Sequence, residues 1–142
     1  MNQSSSPASI SSAQPTLEEV RTRFQNDRFA TESGAIIDEI RDGYAQCSMP
    51  ILPCHRNAAG AVMGGAIFTL ADFAFAVAAN WNKPLHVSLS SQITYLSSAK
   101  GTTLIAQAQC IKSGHSTCYY EINVRDDRDR LIAHITTTGF RV

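Results

Sequence analysis

One stretch of this chain decides what the rest must do. Residues 64–81 read Gly-Gly-Ala-Ile-Phe-Thr-Leu-Ala-Asp-Phe-Ala-Phe-Ala-Val-Ala-Ala-Asn-Trp, with no proline and only Thr69, Asp72 and Asn80 as polar side chains. The pattern predicts a helix that begins at the glycine pair, and a helix apolar on all sides belongs inside a protein. The run from 66 to 79 is too short to cross a bilayer and carries Asp72 near its centre, which a spanning helix tolerates poorly. The remaining chain therefore has to wrap around it. An ionised carboxylate without a partner is costly to bury, so Asp72 is either hydrogen-bonded for structural reasons or retained for chemistry.

At 142 residues, 44% of them hydrophobic, the chain has material for one core and one domain. Twelve Lys and Arg balance twelve Asp and Glu, so no net field draws a nucleic-acid backbone or an anionic membrane as partner. Cys47, Cys54, Cys110 and Cys118 lack paired zinc spacing. They read as reduced thiols of a cytoplasmic protein, with Cys110 and Cys118 able to face each other across a hairpin. Residues 1–15, made largely of Ser, Ala, Gln and Pro, have little to bury and read as a disordered tail. Residues 16–142 read as the single domain.

Leu17, Val20 and Phe24 recur at helical spacing behind Thr16, with Glu19 placed for a capping box, so a short amphipathic helix leads the domain. Residues 35–40 and 44–49, joined by Asp42-Gly43, predict a hairpin that Pro50 and Pro53 end. Cys54–Val62 is a polar loop leading to the helix. Strands are expected over 85–96, 102–112, 116–125 and 130–141, and the short polar turns between them imply an antiparallel meander. The fold class is α+β: an antiparallel sheet wrapped around one long central helix, with a short N-terminal helix.

His55-Arg56-Asn57, Gly60, Met63-Gly64-Gly65, Leu70-Ala71-Asp72 and then Ile93-Thr94-Tyr95-Leu96-Ser97-Ser98-Ala99-Lys100 follow one another at a spacing that resembles the hotdog-fold thioesterases of the phenylacetate-pathway, PaaI-like type. The resemblance spans about residues 16–142. It implies hydrolysis of acyl-CoA thioesters carrying small aromatic or medium-chain acyl groups, without metal or other cofactor. It also implies a homodimer with sites at the subunit boundary, where Asn57 and Gly64 of one chain face Asp72 of the other, and dimers that pair into a tetramer.

Physical chemistry and resemblance meet at the helix start. Gly64-Gly65 presents unpaired N–H groups and the positive end of the helix dipole to an oxygen gaining charge. The resemblance makes the Gly64 N–H, with Asn57, the group that polarises the thioester carbonyl. Asp72 acts as general base toward water or as nucleophile. Ser88 is the hydroxyl that orients carboxylate or water, with Ser90 as competitor, since alternation puts Ser88, Ser90 and Gln92 on one face. His55 is placed at the site mouth. A coenzyme A substrate needs cations for its phosphates, and Lys100, Lys112 and Arg56, which flank turns, are the candidates; the resemblance implies that Lys112 and the following Ser113-Gly114 lie where the nucleotide or pantetheine arm runs. Met63 stands where the family usually carries His, and this departure makes a non-catalytic acyl-CoA-binding hotdog protein the alternative. None of the four histidines, His55, His86, His115 and His134, has a partner at metal-ligand spacing.

Overall fold

The computed structural model describes residues 13–142, so most of the expected tail lies outside the described residues. Helix α1 (Leu17–Phe24) and a five-residue helix α2 (Arg28–Glu32) lead into strands β1 (Ile36–Arg41) and β2 (Tyr44–Pro50). A 3-10 turn at Pro53–His55 precedes the long helix α3 (Gly64–Asn80). Strands β3 (His86–Tyr95), β4 (Thr103–Ser113), β5 (Thr117–Asp126) and β6 (Leu131–Arg141) complete the domain. The leading helix, the hairpin, the central helix and four later strands thus stand where the sequence puts them; α2, too short for a periodic signal, was not foreseen.

Local chemistry accounts for the boundaries. Thr16 Oγ1 caps α1 by accepting from the Glu19 N–H at 3.2 Å. The expected capping box closes differently, because the Glu19 carboxylate accepts from the Thr16 hydroxyl rather than from its backbone. At Asp42-Gly43 the turn needs a left-handed residue, and Gly43 has φ 66°. Asn80 closes α3 against β3: its Oδ1 accepts from the His86 N–H at 2.7 Å, and its Nδ2 donates to His86 O at 3.1 Å and Ala76 O at 2.9 Å.

All six strands form one antiparallel sheet in the order β1-β2-β4-β5-β6-β3. The meander expected over all four later strands holds only for β4-β5-β6. Strand β3 pairs with β6 at the far edge, and the linker 96–102 crosses the sheet end to reach β4. Asp126 fixes that crossing. Its carboxylate, 1% exposed, accepts from the N–H groups of Lys100 and Gly101 in the linker and of Arg128 and Arg130 in the β5–β6 turn, at 2.7–3.0 Å. Burial alone would raise its pKa, but the four donors win and hold it at about 2.

The concave face of the sheet holds α3. Alternate residues of β4 and β5, Leu104, Ala106 and Ala108 with Tyr120, Ile122 and Val124, are fully buried against Leu70, Ala71, Ala74 and Ala78. Small side chains on both sides let helix and sheet approach closely. Phe75 meets Tyr120 edge-on at 5.3 Å, and Phe73 meets Phe24 of α1 at 6.2 Å. Trp81, also buried, donates from Nε1 to Arg41 O at 3.0 Å. Helix α3 is not buried all round, however. Gly65, Phe68, Thr69, Asp72 and Ala76 form a partly open stripe on the side away from the sheet, because α2 covers that side incompletely.

Candidate active site

At the start of α3, the Ala66 and Ile67 N–H groups both bond to Met63 O, at 3.0 and 3.3 Å. Those of Gly64 and Gly65 have no acceptor among the described residues, and Met63 supplies no side-chain cap. Two donors and the positive helix end therefore meet an approaching oxygen. A Cβ on Gly64 would fall 2.7 Å from Tyr95 Oη, so a larger residue here would have to displace the half-exposed Tyr95 ring that lines the same opening.

The loop before the helix is built around two side chains. Asn57 Oδ1 accepts from the Ala59 and Ala61 N–H groups at 3.0 and 3.1 Å, which leaves Nδ2 as the part of the amide open to a ligand. His55, expected at the site mouth, is 6% exposed and fully engaged. Its Nδ1 accepts from the Leu52 N–H at 3.0 Å, so Nε2 is the donor to Ser33 O at 2.8 Å. With both nitrogens used, its imidazole positions the loop and offers no group to substrate.

Three of the cavities that border α3 bear on the helix start and on Asp72. The largest, about 680 Å³, is lined by Gly64, Tyr95, Arg56, the linker 96–99 and Lys100. A second, about 380 Å³, holds Asp72 between Phe68, Phe73, Asp27 just before α2, and the α2 residues Arg28 and Phe29. A third, about 290 Å³, lies beside Gly65 and is lined by Met49, Cys54, His55, Met63 and, again, Phe29. The glycine pair thus divides its neighbours. Gly64 faces the cavity with the two cations, and Gly65 faces an apolar one.

Asp72 is half-buried, and neither Ser88, Ser90 nor any other described residue hydrogen-bonds its carboxyl. Burial, and then the nearby Asp27 carboxylate, push its pKa above the ordinary carboxylate value. Asp27, the residue that opens α2, makes no capping bond to that helix, and its own carboxyl is raised by burial against the opposing effect of Arg23. An unpaired carboxyl with raised proton affinity is what a general base requires.

Two expectations about β3 and β4 need correction. The register of β3 on β6 shifts between Ser88, opposite Gly139, and Ser90, opposite Thr138, so Leu89 forms a bulge. Ser88 therefore shares the helix-facing side with Gly139, while Ser90 and Gln92 face outward; the regular alternation of the sequence concealed this. Lys112, Ser113 and Gly114 sit at the β4–β5 hairpin, at the opposite end of the sheet from Gly64 and Lys100. One chain does not bring them together.

Sequence reasoning missed Asp126, Asp27 and Phe29. The first read as one more polar turn residue in Asp126-Asp127-Arg128-Asp129, and the other two lie in a segment without periodicity. Of the aromatic residues on α3, Phe75 is core, Phe73 is buried with one edge on the Asp72 cavity, and Phe68 is the partly open one that lines it. All four cysteines are free, with Cys110 opposite Tyr120 and Cys118 opposite Ser113. Among the described residues no cluster of three or more His, Cys, Asp or Glu is placed to hold a metal ion, and no helix is long and apolar enough to cross a membrane.

The sequence profile of the thioesterase superfamily matches residues 59–133. The chain belongs to that superfamily. A protein of Archaeoglobus fulgidus described as "Putative esterase" is 37% identical over 120 residues, covering 84% of this chain and 78% of that one. The "Acyl-coenzyme A thioesterase PaaI" of Escherichia coli is 29% identical over 120 residues, covering 84% and 86%. The solved structure of the E. coli PaaI protein from the phenylacetic acid degradation operon superposes with a TM-score of 0.82 at 26% identity, covering 89% of this chain and 96% of that one. The resemblance read from the motif is thereby met: this is a PaaI-like, hotdog-fold member of the thioesterase superfamily. Gly64, Asp72, Ser88, Lys100 and Lys112 fall inside the matched span, and His55 and Asn57 lie just before it.

Proposed function

We propose that this thioesterase-superfamily chain hydrolyses acyl-CoA thioesters of small aromatic or medium-chain acids to the free acid and CoA. The observation that carries the reading is the pairing, on one helix, of two partnerless N–H groups at the start with an unpaired, half-buried carboxyl further along. The thioester carbonyl oxygen takes the Gly64 N–H and Asn57 Nδ2 as donors, and the charge it gains in the tetrahedral intermediate rests on them. With Asp72 as base, the carboxylate removes a proton from water as the water oxygen bonds to the carbonyl carbon. The intermediate collapses, the carbon–sulfur bond breaks, and the proton passes to the CoA sulfur. With Asp72 as nucleophile, its oxygen displaces the thiolate and water then hydrolyses the mixed anhydride. Ser88, on the helix-facing side of β3, is the orienting hydroxyl, and Arg56 and Lys100 are the cations for CoA phosphates.

Distance makes a second copy part of the site. Asp72 stands eight residues beyond Gly64, which at about 1.5 Å per residue places it about 12 Å along the axis. A carboxylate must lie within about 3 Å of the water or carbonyl it serves, so a carbonyl held at Gly64 needs the Asp72 of another protomer. Strand β3 favours the same arrangement, since it ends the sheet with Val87, Leu89 and Tyr95 exposed, and such an edge calls for cover. Two-fold pairing of β3 on β3 gives a homodimer and turns the partner's Lys112-Ser113-Gly114 hairpin toward the end of this sheet that holds Gly64.

Met63 favours a second reading, acyl-CoA binding without turnover, because it offers neither a cap nor a polar group at the helix start. Thiol release from aryl, short, medium and long acyl-CoAs, compared between wild type and Asp72→Asn, separates the two. Turnover that falls by a factor of about 10² to 10⁴ in a folded, binding variant supports hydrolysis; acyl-CoA binding with no turnover by the wild type refutes it.

A further inference from the structure

We infer that Phe29, on the short helix α2, is the residue that selects the acyl group; the inference rests on the thioester-hydrolase reading above. Phe29 is 78% exposed, the highest value among the large apolar side chains, although every other phenylalanine but the C-terminal Phe140 lies at least partly inside. It lines both the cavity that holds Asp72 and the cavity beside Gly65. Thr69 is the other residue common to both, and its hydroxyl proton is donated to Gly65 O at 2.8 Å, so toward a ligand it offers its methyl group and no donor. The two cavities thus form one trough along the open stripe of α3, with Phe29 at their junction. Phe68, Met49, Met63, Ala66 and Ala76 make up its walls, while Asp27 and Arg28 stay at the α2 end.

The trough meets both halves of the chemistry. An acyl group whose carbonyl is held at the helix start leaves Gly65 toward one cavity, and an acyl group beside the Asp72 carboxylate enters the other. Whichever protomer supplies each half, the acyl chain runs against a Phe29 ring. The backbone just after α2 is also tied to the helix start: His55 Nε2 donates to Ser33 O, and His55 O accepts from the Met63 N–H at 2.8 Å. Apart from Asp72 and the Asp27-Arg28 pair at the α2 end, the side chains that line the trough are uncharged and mostly apolar, so the acyl group it takes is apolar, and Phe29 limits how far such a group extends.

The test is kcat/KM of the full chain for butanoyl-, octanoyl-, dodecanoyl-, benzoyl- and phenylacetyl-CoA, with Phe29→Ala and Phe29→Trp beside the wild type. An exposed position predicts thermal midpoints near that of the wild type in both variants. The long-to-short ratio is expected to rise roughly tenfold in Phe29→Ala and to fall in Phe29→Trp, the size of effect that a few methylenes in an apolar pocket produce. Ratios unchanged within twofold in both variants overturn the inference. So does a uniform loss on every substrate together with dissociation of the oligomer, which would make a second copy the cover of Phe29. If the wild type hydrolyses nothing, the hydrolase reading fails, and the same ratios taken from binding constants still decide whether Phe29 selects the acyl group.

Discussion

Subunit complementation tests the shared site most directly. Take Asp72→Asn, which removes the carboxylate, and Asn57→Asp, which keeps the Oδ1 that the Ala59 and Ala61 N–H groups need but deletes the Nδ2 donor. Each homodimer then has two damaged sites. In a heterodimer formed from the two, the proposed arrangement gives one site both substitutions and the other neither, because it pairs one chain's Gly64 with the other chain's Asp72. Random reassortment of equal amounts makes half of the dimers mixed, and each carries one intact site of two, so the mixture recovers about a quarter of wild-type activity. The assay is thiol release before and after denaturation and co-refolding, with native mass spectrometry counting the heterodimers. No recovery despite heterodimers at the expected fraction would sink the argument from the 12 Å separation, and the site would then lie within one chain.

The remaining predictions concern charge. In the proposed reaction Asp72 works deprotonated, and burial and Asp27 raise its proton affinity, so kcat/KM is expected to fall on the acid side at a pH above that of an ordinary carboxylate. Asp27→Asn removes the neighbouring charge, can still occupy the start of α2, and is expected to move that limb to lower pH; a profile that does not move refutes the coupling. For Asp126 the folded pKa of about 2 lies below the ordinary 3.8. Its stabilisation is therefore complete above the unfolded value and is lost as pH falls from there through about 2. Asp126→Ala leaves four donors without their acceptor and should lower the unfolding free energy by about 3 kcal/mol in urea titrations. An unchanged midpoint would show that the linker crossing does not depend on it.

Elements with a local cause were legible in the sequence, and those with a distant cause were not. Asp42-Gly43 announces its hairpin because the turn needs φ above zero, and Gly64-Gly65 followed by an apolar run announces its helix. The partner of β3 is different. Ser98-Ala99-Lys100-Gly101 has the composition of a hairpin turn, yet whether it turns or crosses is decided by an acceptor some 25 residues later, Asp126. The bulge at Leu89 was hidden because Val87-Ser88-Leu89-Ser90 alternates apolar and polar across it. Only pairing with β6 shows that Ser88 and Ser90 part company. The candidate catalytic residues were legible as a motif, while the surroundings that tune them, Asp27 beside Asp72 and Phe29 beside Gly65, come from a segment with no pattern of its own.

The arrangement explains why a chain of this kind would divide its chemistry between two copies. A carbonyl-polarising helix start must be exposed, because its N–H groups serve substrate only if no residue caps them. A base must be partly desolvated, because burial is what raises its proton affinity. One helix cannot give both conditions at a single point: at Gly64 it is open, and two turns further along Asp72 has already entered the trough beside α2. Placing two such helices side by side and antiparallel brings the open end of one to the buried middle of the other. The same two-fold operation covers the unpartnered β3 edge. The exposed edge and the separation along α3 thus call for the same neighbour, although one is a matter of strand pairing and the other of catalysis.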